Sequence, residues 1–170
     1  VFDKEKPTIE MNDRVYYGDR AIAIEAKAGQ KIPLRRIREL LIWLKEIGYP
    51  IELITGDKPT QATRNDLEQD GFKTEYQSVD KERDCWISFR SEVENHSIII
   101  PRIPLAIKEA QHLIDDGEKI DHCKAFPDGT PGSKDMMDAI VGSYYACKTA
   151  KRIYGITTLD HKALDTSYKR

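Results

Sequence analysis

Hydrophobic and polar positions along the chain follow two rhythms, and proline and glycine mark where one gives way to the other. From Pro33 to Gly48, Ile37, Leu40, Leu41, Leu44 and Ile47 recur at helical spacing. The pattern predicts an amphipathic helix opened by Pro33 and ended by Gly48. Ile51-Glu52-Leu53-Ile54 follows as a short apolar strand running into Thr55-Gly56-Asp57, and Gly56 is expected to let the backbone turn there. A helix followed at once by a strand is the rhythm of an α/β protein. Upstream, Val15 to Tyr17 leads into Ala21-Ile22-Ala23-Ile24-Glu25-Ala26, which reads as a strand broken by Gly29, whereas residues 1–14 are polar with little periodicity.

The same alternation continues downstream. Pro59 starts a helix carrying Ala62 and Leu67 and closed by Gly71, and Phe72 to Tyr76 reads as a strand. A helix over 81–94 is expected to bury Trp86, Phe89 and Val93. Ile98 to Ile100 forms a strand, and Pro104 opens a helix carrying Leu105, Ile107 and Leu113. Lys119 to His122 reads as a brief edge strand, followed by the loop Pro127 to Gly132. A final helix runs from Ser133 to Tyr154 with Ile140, Val141, Tyr144 and Tyr145 as its buried ridge. The expected organisation is one α/β domain over 1–154 and a flexible C-terminal tail over 155–170.

Composition narrows the class. At 170 residues the chain has the size of one ordinary domain. Apolar residues at 39% and charged residues at 33% make a soluble globular balance, with no apolar run near the roughly 20 residues that span a bilayer. Neither a secretory leader nor a membrane association is expected. Cys85, Cys123 and Cys147 are odd in number and widely spaced, matching neither a disulfide framework nor a zinc pattern, so a reducing cytosol is expected. A net charge of -2 argues against a protein that coats nucleic acid nonspecifically. It is compatible with a nuclease whose acidic site is offset by bound cations. Basic patches at Lys31, Arg35, Arg36 and Arg38, and at Lys148, Lys151 and Arg152, read equally as phosphate contacts or as solvated helix faces.

Chemistry concentrates in Gly132-Ser133-Lys134-Asp135-Met136-Met137-Asp138-Ala139. Ser133 is placed to cap the helix amides, and Asp135 and Asp138, three apart, share one face. Asp57 lies just past the carboxyl end of an apolar strand, where open α/β sheets place their chemistry. Two carboxylates from separate elements hold Mg²⁺ or Mn²⁺ through oxygen, with water completing the shell. A pair of ions about 4 Å apart activates water and stabilises the leaving oxygen in phosphodiester cleavage. That arrangement normally draws on three or four acids, so Asp57 and Asp135 alone are an incomplete set. The competing readings are that Asp57 caps the Pro59 helix and that Asp135 only favours a helix N-terminus. Asp138 reads either as a third ligand or as a polar residue facing a neighbouring loop. His122, beside Asp121, reads as orienting substrate or metal-bound water, or as structural.

Five ordered stretches resemble the nuclease domain of the large terminase subunit of tailed bacteriophages, a member of the ribonuclease H-like superfamily. They are Ile32 to Gly48, Thr55-Gly56-Asp57 with Gln61, Ser78-Val79-Asp80-Lys81, Lys119-Ile120-Asp121-His122, and Gly132-Ser133-Lys134-Asp135 with Asp138-Ala139. The resemblance covers residues 20–146. It implies a mixed sheet flanked by helices and divalent-metal-dependent endonucleolytic cleavage of double-stranded DNA during viral genome packaging in the cytoplasm of a bacterial host. It further implies two Mg²⁺ or Mn²⁺ ions, Asp57 and Asp135 as catalytic acids and metal ligands, Asp138 as a further ligand, and His122 and Lys134 as auxiliaries. Portal and small terminase subunit are the implied partners, and a P-loop ATPase domain is implied upstream. One departure stands out: the family's first catalytic aspartate lies on an initial central strand, and nothing in residues 1–14 reads as that strand. The expectation is that this strand precedes Val1. The alternative functions are a non-catalytic DNA-binding or assembly domain with an incomplete acid cluster, and a junction-resolving or transposase-like nuclease on the same fold.

Overall fold

The computed structural model describes residues 15–18, 20–26, 29–57, 61–80 and 82–154. The elements are β1 (Tyr16–Tyr17), α1 (Leu34–Glu46), β2 (Ile54–Gly56), α2 (Gln61–Gln69), β3 (Thr74–Tyr76), α3 (Arg83–Glu94), β4 (Ile98–Ile99), α4 (Pro104–Ala110), β5 (Leu113–Asp115), β6 (Ile120–His122) and α5 (Asp135–Tyr154). The chain is therefore mixed α/β. Its described strands form three two-stranded ribbons: β1 parallel to β4, β2 parallel to β3, and β5 antiparallel to β6. Among the described residues no helix is long and apolar enough to cross a membrane. The expected tail, the residues before Val15 and the Pro59 helix start lie outside the described residues.

Local chemistry accounts for most boundaries. Pro33 is extended (φ -65°, ψ 129°) and sits immediately before the first helical residue of α1. Gly48 then takes φ 93°, the left-handed conformation that ends helices without a Cβ penalty. Pro104 occupies the first turn of α4, where its missing N–H costs nothing.

Three expectations are corrected. Only Tyr16–Tyr17 of the first apolar stretch joins a ladder; Ala21 to Ala26 pairs with nothing described, and Ile22 and Ile24 are exposed. An alternating pattern becomes a strand only where a neighbour supplies the hydrogen bonds. Leu113 belongs to β5, not to α4, because the Asp115-Asp116-Gly117 turn captures the backbone: Asp115 Oδ1 accepts from Gly117 N, and Asp116 Oδ1 from Glu118 N and Lys119 N. Such side-chain bonds to local amides compete directly with helix. Val93 is exposed, leaving Cys85, Trp86 and Phe89 as the buried side of α3.

The core gathers around α5, which packs on α3, α4 and β2. Val141 is fully buried, and Tyr144 sets its ring edge-on against Phe89 and Tyr16 at centroid distances of 5.6 and 4.9 Å. Burying a side chain of this size contributes about 1.5–3 kcal/mol each. Cys85 lies in the same core, its thiol pushed up to about 12 by burial, and so acts as an inert packing group.

Candidate functional site

The site is built where β2 ends beside the first turns of α5. β2 delivers Asp57 directly after Gly56, which is the last ladder residue, paired with Tyr76, and the chain bends at Asp57. A cleft of about 270 Å³ opens here, lined by Thr55, Gly56 and Asp57, by Gln77 and Val79, and by Asp138, Ala139, Gly142 and Ser143 of α5. Ala139 and Ser143 also line a neighbouring apolar cavity of about 290 Å³ between α5 and the β1–β4 ribbon.

The start of α5 is held by α4 and not, as expected, by its own serine. Glu109, 1% exposed on α4, accepts the Ser133 hydroxyl at 2.6 Å and the Met137 amide at 2.9 Å. Ser133 thus donates to a carboxylate and caps no amide; a residue from another helix satisfies the helix end. Lys108, one residue before Glu109, ties down the preceding loop through Asp128 at 2.7 Å and Thr130 at 3.0 Å. Gly132 is required where it stands, since a Cβ there would lie 1.7 Å from the Cys123 carbonyl oxygen. These contacts place Lys134 and Asp138 by packing and not by chance.

Lys134 is buried, with its ammonium between two carboxylates. It donates to Asp138 Oδ1 and Oδ2 at 2.9 and 3.1 Å and to Asp80 Oδ1 in the turn before α3. Burial works against the charge, but the bonds and charges of Asp80 and Asp138 outweigh it and raise the lysine above its ordinary pKa. Asp138 is also raised: burial comes first, Lys134 opposes it, and the negative charges of Asp80 and Asp135 add to it.

The sequence-predicted residues separate accordingly. Asp57 and Asp138 face one cleft, whereas Asp135, the first residue of α5, is exposed and does not line it. The packing of α5 on β2 and α3 puts Asp138, and not Asp135, along the cleft with Asp57. Among the described residues there is no group of three or more His, Cys, Asp or Glu that could hold a metal ion. His122 is exposed on β6 with Nδ1 3.0 Å from Asp121 Oδ1, and it does not line the cleft. Its neighbour Asp121 is lowered to about 2 by Lys119, and by the His122 amide.

Two residues escaped the sequence reading. Asp80 stood inside a quoted motif without a role, and Glu109 gave no signal beyond being one acid on a short helix. Four residues of the basic patches are engaged within the chain: Arg35 and Arg36 pair with Glu39, Arg38 with Asp70, and Lys148 with Glu92. No family model, curated protein or solved structure matches the chain.

Proposed function

We propose that this chain is the ribonuclease H-like nuclease domain of a large terminase subunit, cleaving double-stranded DNA with Mg²⁺ or Mn²⁺ during viral genome packaging. The observation that carries the reading is the single cleft shared by Asp57 at a strand end and Asp138 on a packed helix. The donor chemistry fits a hard divalent ion: carboxylate oxygens from two elements, with room beside them for hydration water. A volume of about 270 Å³ corresponds to roughly nine waters at about 30 Å³ each. When bound, the ion supplies Lewis acidity toward water and the phosphodiester. Asp57 and Asp138 would hold it, and Lys134, bonded to both Asp138 and Asp80, neutralises part of their charge. These described donors suit one ion; a second needs a further acid, which the family places on its initial central strand. The portal, the small subunit and an upstream ATPase domain remain part of the proposal as the family's partners.

A second reading has one observation in its favour. Both oxygens of Asp138 are engaged by Lys134, as in a structural ion pair of a non-catalytic DNA-binding or assembly domain. Mn²⁺ titration with Asp57→Asn and Asp138→Asn separates the two. The nuclease reading expects Mn²⁺ binding, and Mn²⁺-dependent nicking of supercoiled DNA, to fall by more than the roughly 10–100-fold that loss of an outer-shell partner costs. Wild-type Mn²⁺ affinity in both variants would leave the assembly-domain reading standing.

A further inference from the structure

Lys134 has a feature that a simple surface ion pair lacks: its side chain is 7% exposed and its ammonium serves two carboxylates that come from different elements. Asp138 spends both oxygens on it, while Asp80 on the other side is half exposed. The lysine cannot withdraw. Its own carbonyl accepts the Asp138 amide at 2.7 Å, the preceding Ser133 is held by Glu109, and the Trp86 ring lies 5.7 Å from the ammonium. Trp86 is itself fixed by donation of its indole N–H to the Val79 carbonyl at 3.1 Å.

We propose that Lys134 is the resident counter-cation of the cleft, competing with the divalent ion for Asp138, and that Asp80 is the acceptor that retains the ammonium when the ion takes Asp138. The inference rests on the metal-binding reading above and adds its regulation. An ion that coordinates Asp138 must displace at least one Lys134 bond. A buried ammonium stripped of all partners would be strongly destabilising, so exchange requires a second carboxylate already in contact, and Asp80 is that carboxylate. The cleft therefore stays folded without metal and opens a ligand only when metal arrives.

The test is Mn²⁺ affinity, read as loss of the free-ion electron paramagnetic resonance signal, in wild type, Lys134→Met and Asp80→Asn. Removing the competitor is expected to tighten Mn²⁺ binding, and so to give Lys134→Met a larger Mn²⁺-induced rise in melting temperature than wild type shows. Removing the alternative acceptor is expected to weaken binding about tenfold, since Lys134 then has only Asp138. A merely structural lysine predicts no such opposite signs. Unchanged or weaker binding in Lys134→Met, or unchanged or tighter binding in Asp80→Asn, overturns the inference while leaving Asp57 and Asp138 as ligands. If Lys134→Met does not fold, the half-exposed Asp80 position decides alone. Failure of the wild-type chain to bind Mn²⁺ removes the metal reading and this inference with it.

Discussion

Two regions of the molecule are held together by different forces. On one side α3, α4 and α5 share a buried core, with Cys85, Trp86 and Phe89 of α3 set against Met137, Val141 and Tyr144 of α5. On the other, α1 buries no residue at all; Trp43 is half exposed. α1 is fastened to the end of α2 by polar contacts: Arg38 pairs with Asp70, and Lys45 reaches the carbonyls of Asp70 and Gly71 at 3.2 and 3.3 Å. Burial of apolar area scales with every atom removed from water, whereas exposed ion pairs contribute little. Asp138 accordingly stands in the well-packed region, and Asp57 follows β2, which pairs with β3 and packs on the same α5.

That contrast can be broken or sharpened by substitution, with guanidinium unfolding midpoints as the readout. Phe89→Ala empties part of the shared core and is expected to cost about 3–5 kcal/mol, enough to lose much of the cooperative transition. Glu109→Ala leaves the Met137 amide and the Ser133 hydroxyl without their acceptor, at an expected cost of about 1–3 kcal/mol. Glu109→Gln, which keeps one acceptor oxygen, should cost less; equal losses would mean that both carboxylate oxygens are needed. Arg38→Ala, in the region fastened by polar contacts, is expected to cost under about 1 kcal/mol. A loss as large as that of Phe89→Ala would show that α1 is as tightly integrated as α5.

The parts of this architecture that were legible beforehand are those whose cause is local. Pro33, Gly48 and Pro104 punctuate their helices through backbone geometry alone, so α1 and the start of α4 follow from the residues themselves. The apolar ridge of α5 was also readable, because Val141 and Tyr144 repeat at helical spacing. What could not be read depends on distant partners. Asp135 and Asp138 lie in the same opening turns, and only the rotation of α5 against β2 and α3 decides which faces the cleft. Ala21 to Ala26 has the pattern of a strand but no described neighbour to pair with. Glu109 is indistinguishable from any surface glutamate until α4 is laid across the beginning of α5. Asp80 acquires meaning only once Lys134, 54 residues later, is buried against it.

The glutamate bridge from α4 has a consequence for how the chemistry comes into being. The opening turn of the last helix borrows its hydrogen-bond acceptor from a residue 28 positions earlier. Lys134 and Asp138 therefore cannot reach their working positions by local helix formation, however favourable the sequence there. Docking of two remote segments has to come first, so the acids are gathered only as the chain completes its tertiary assembly.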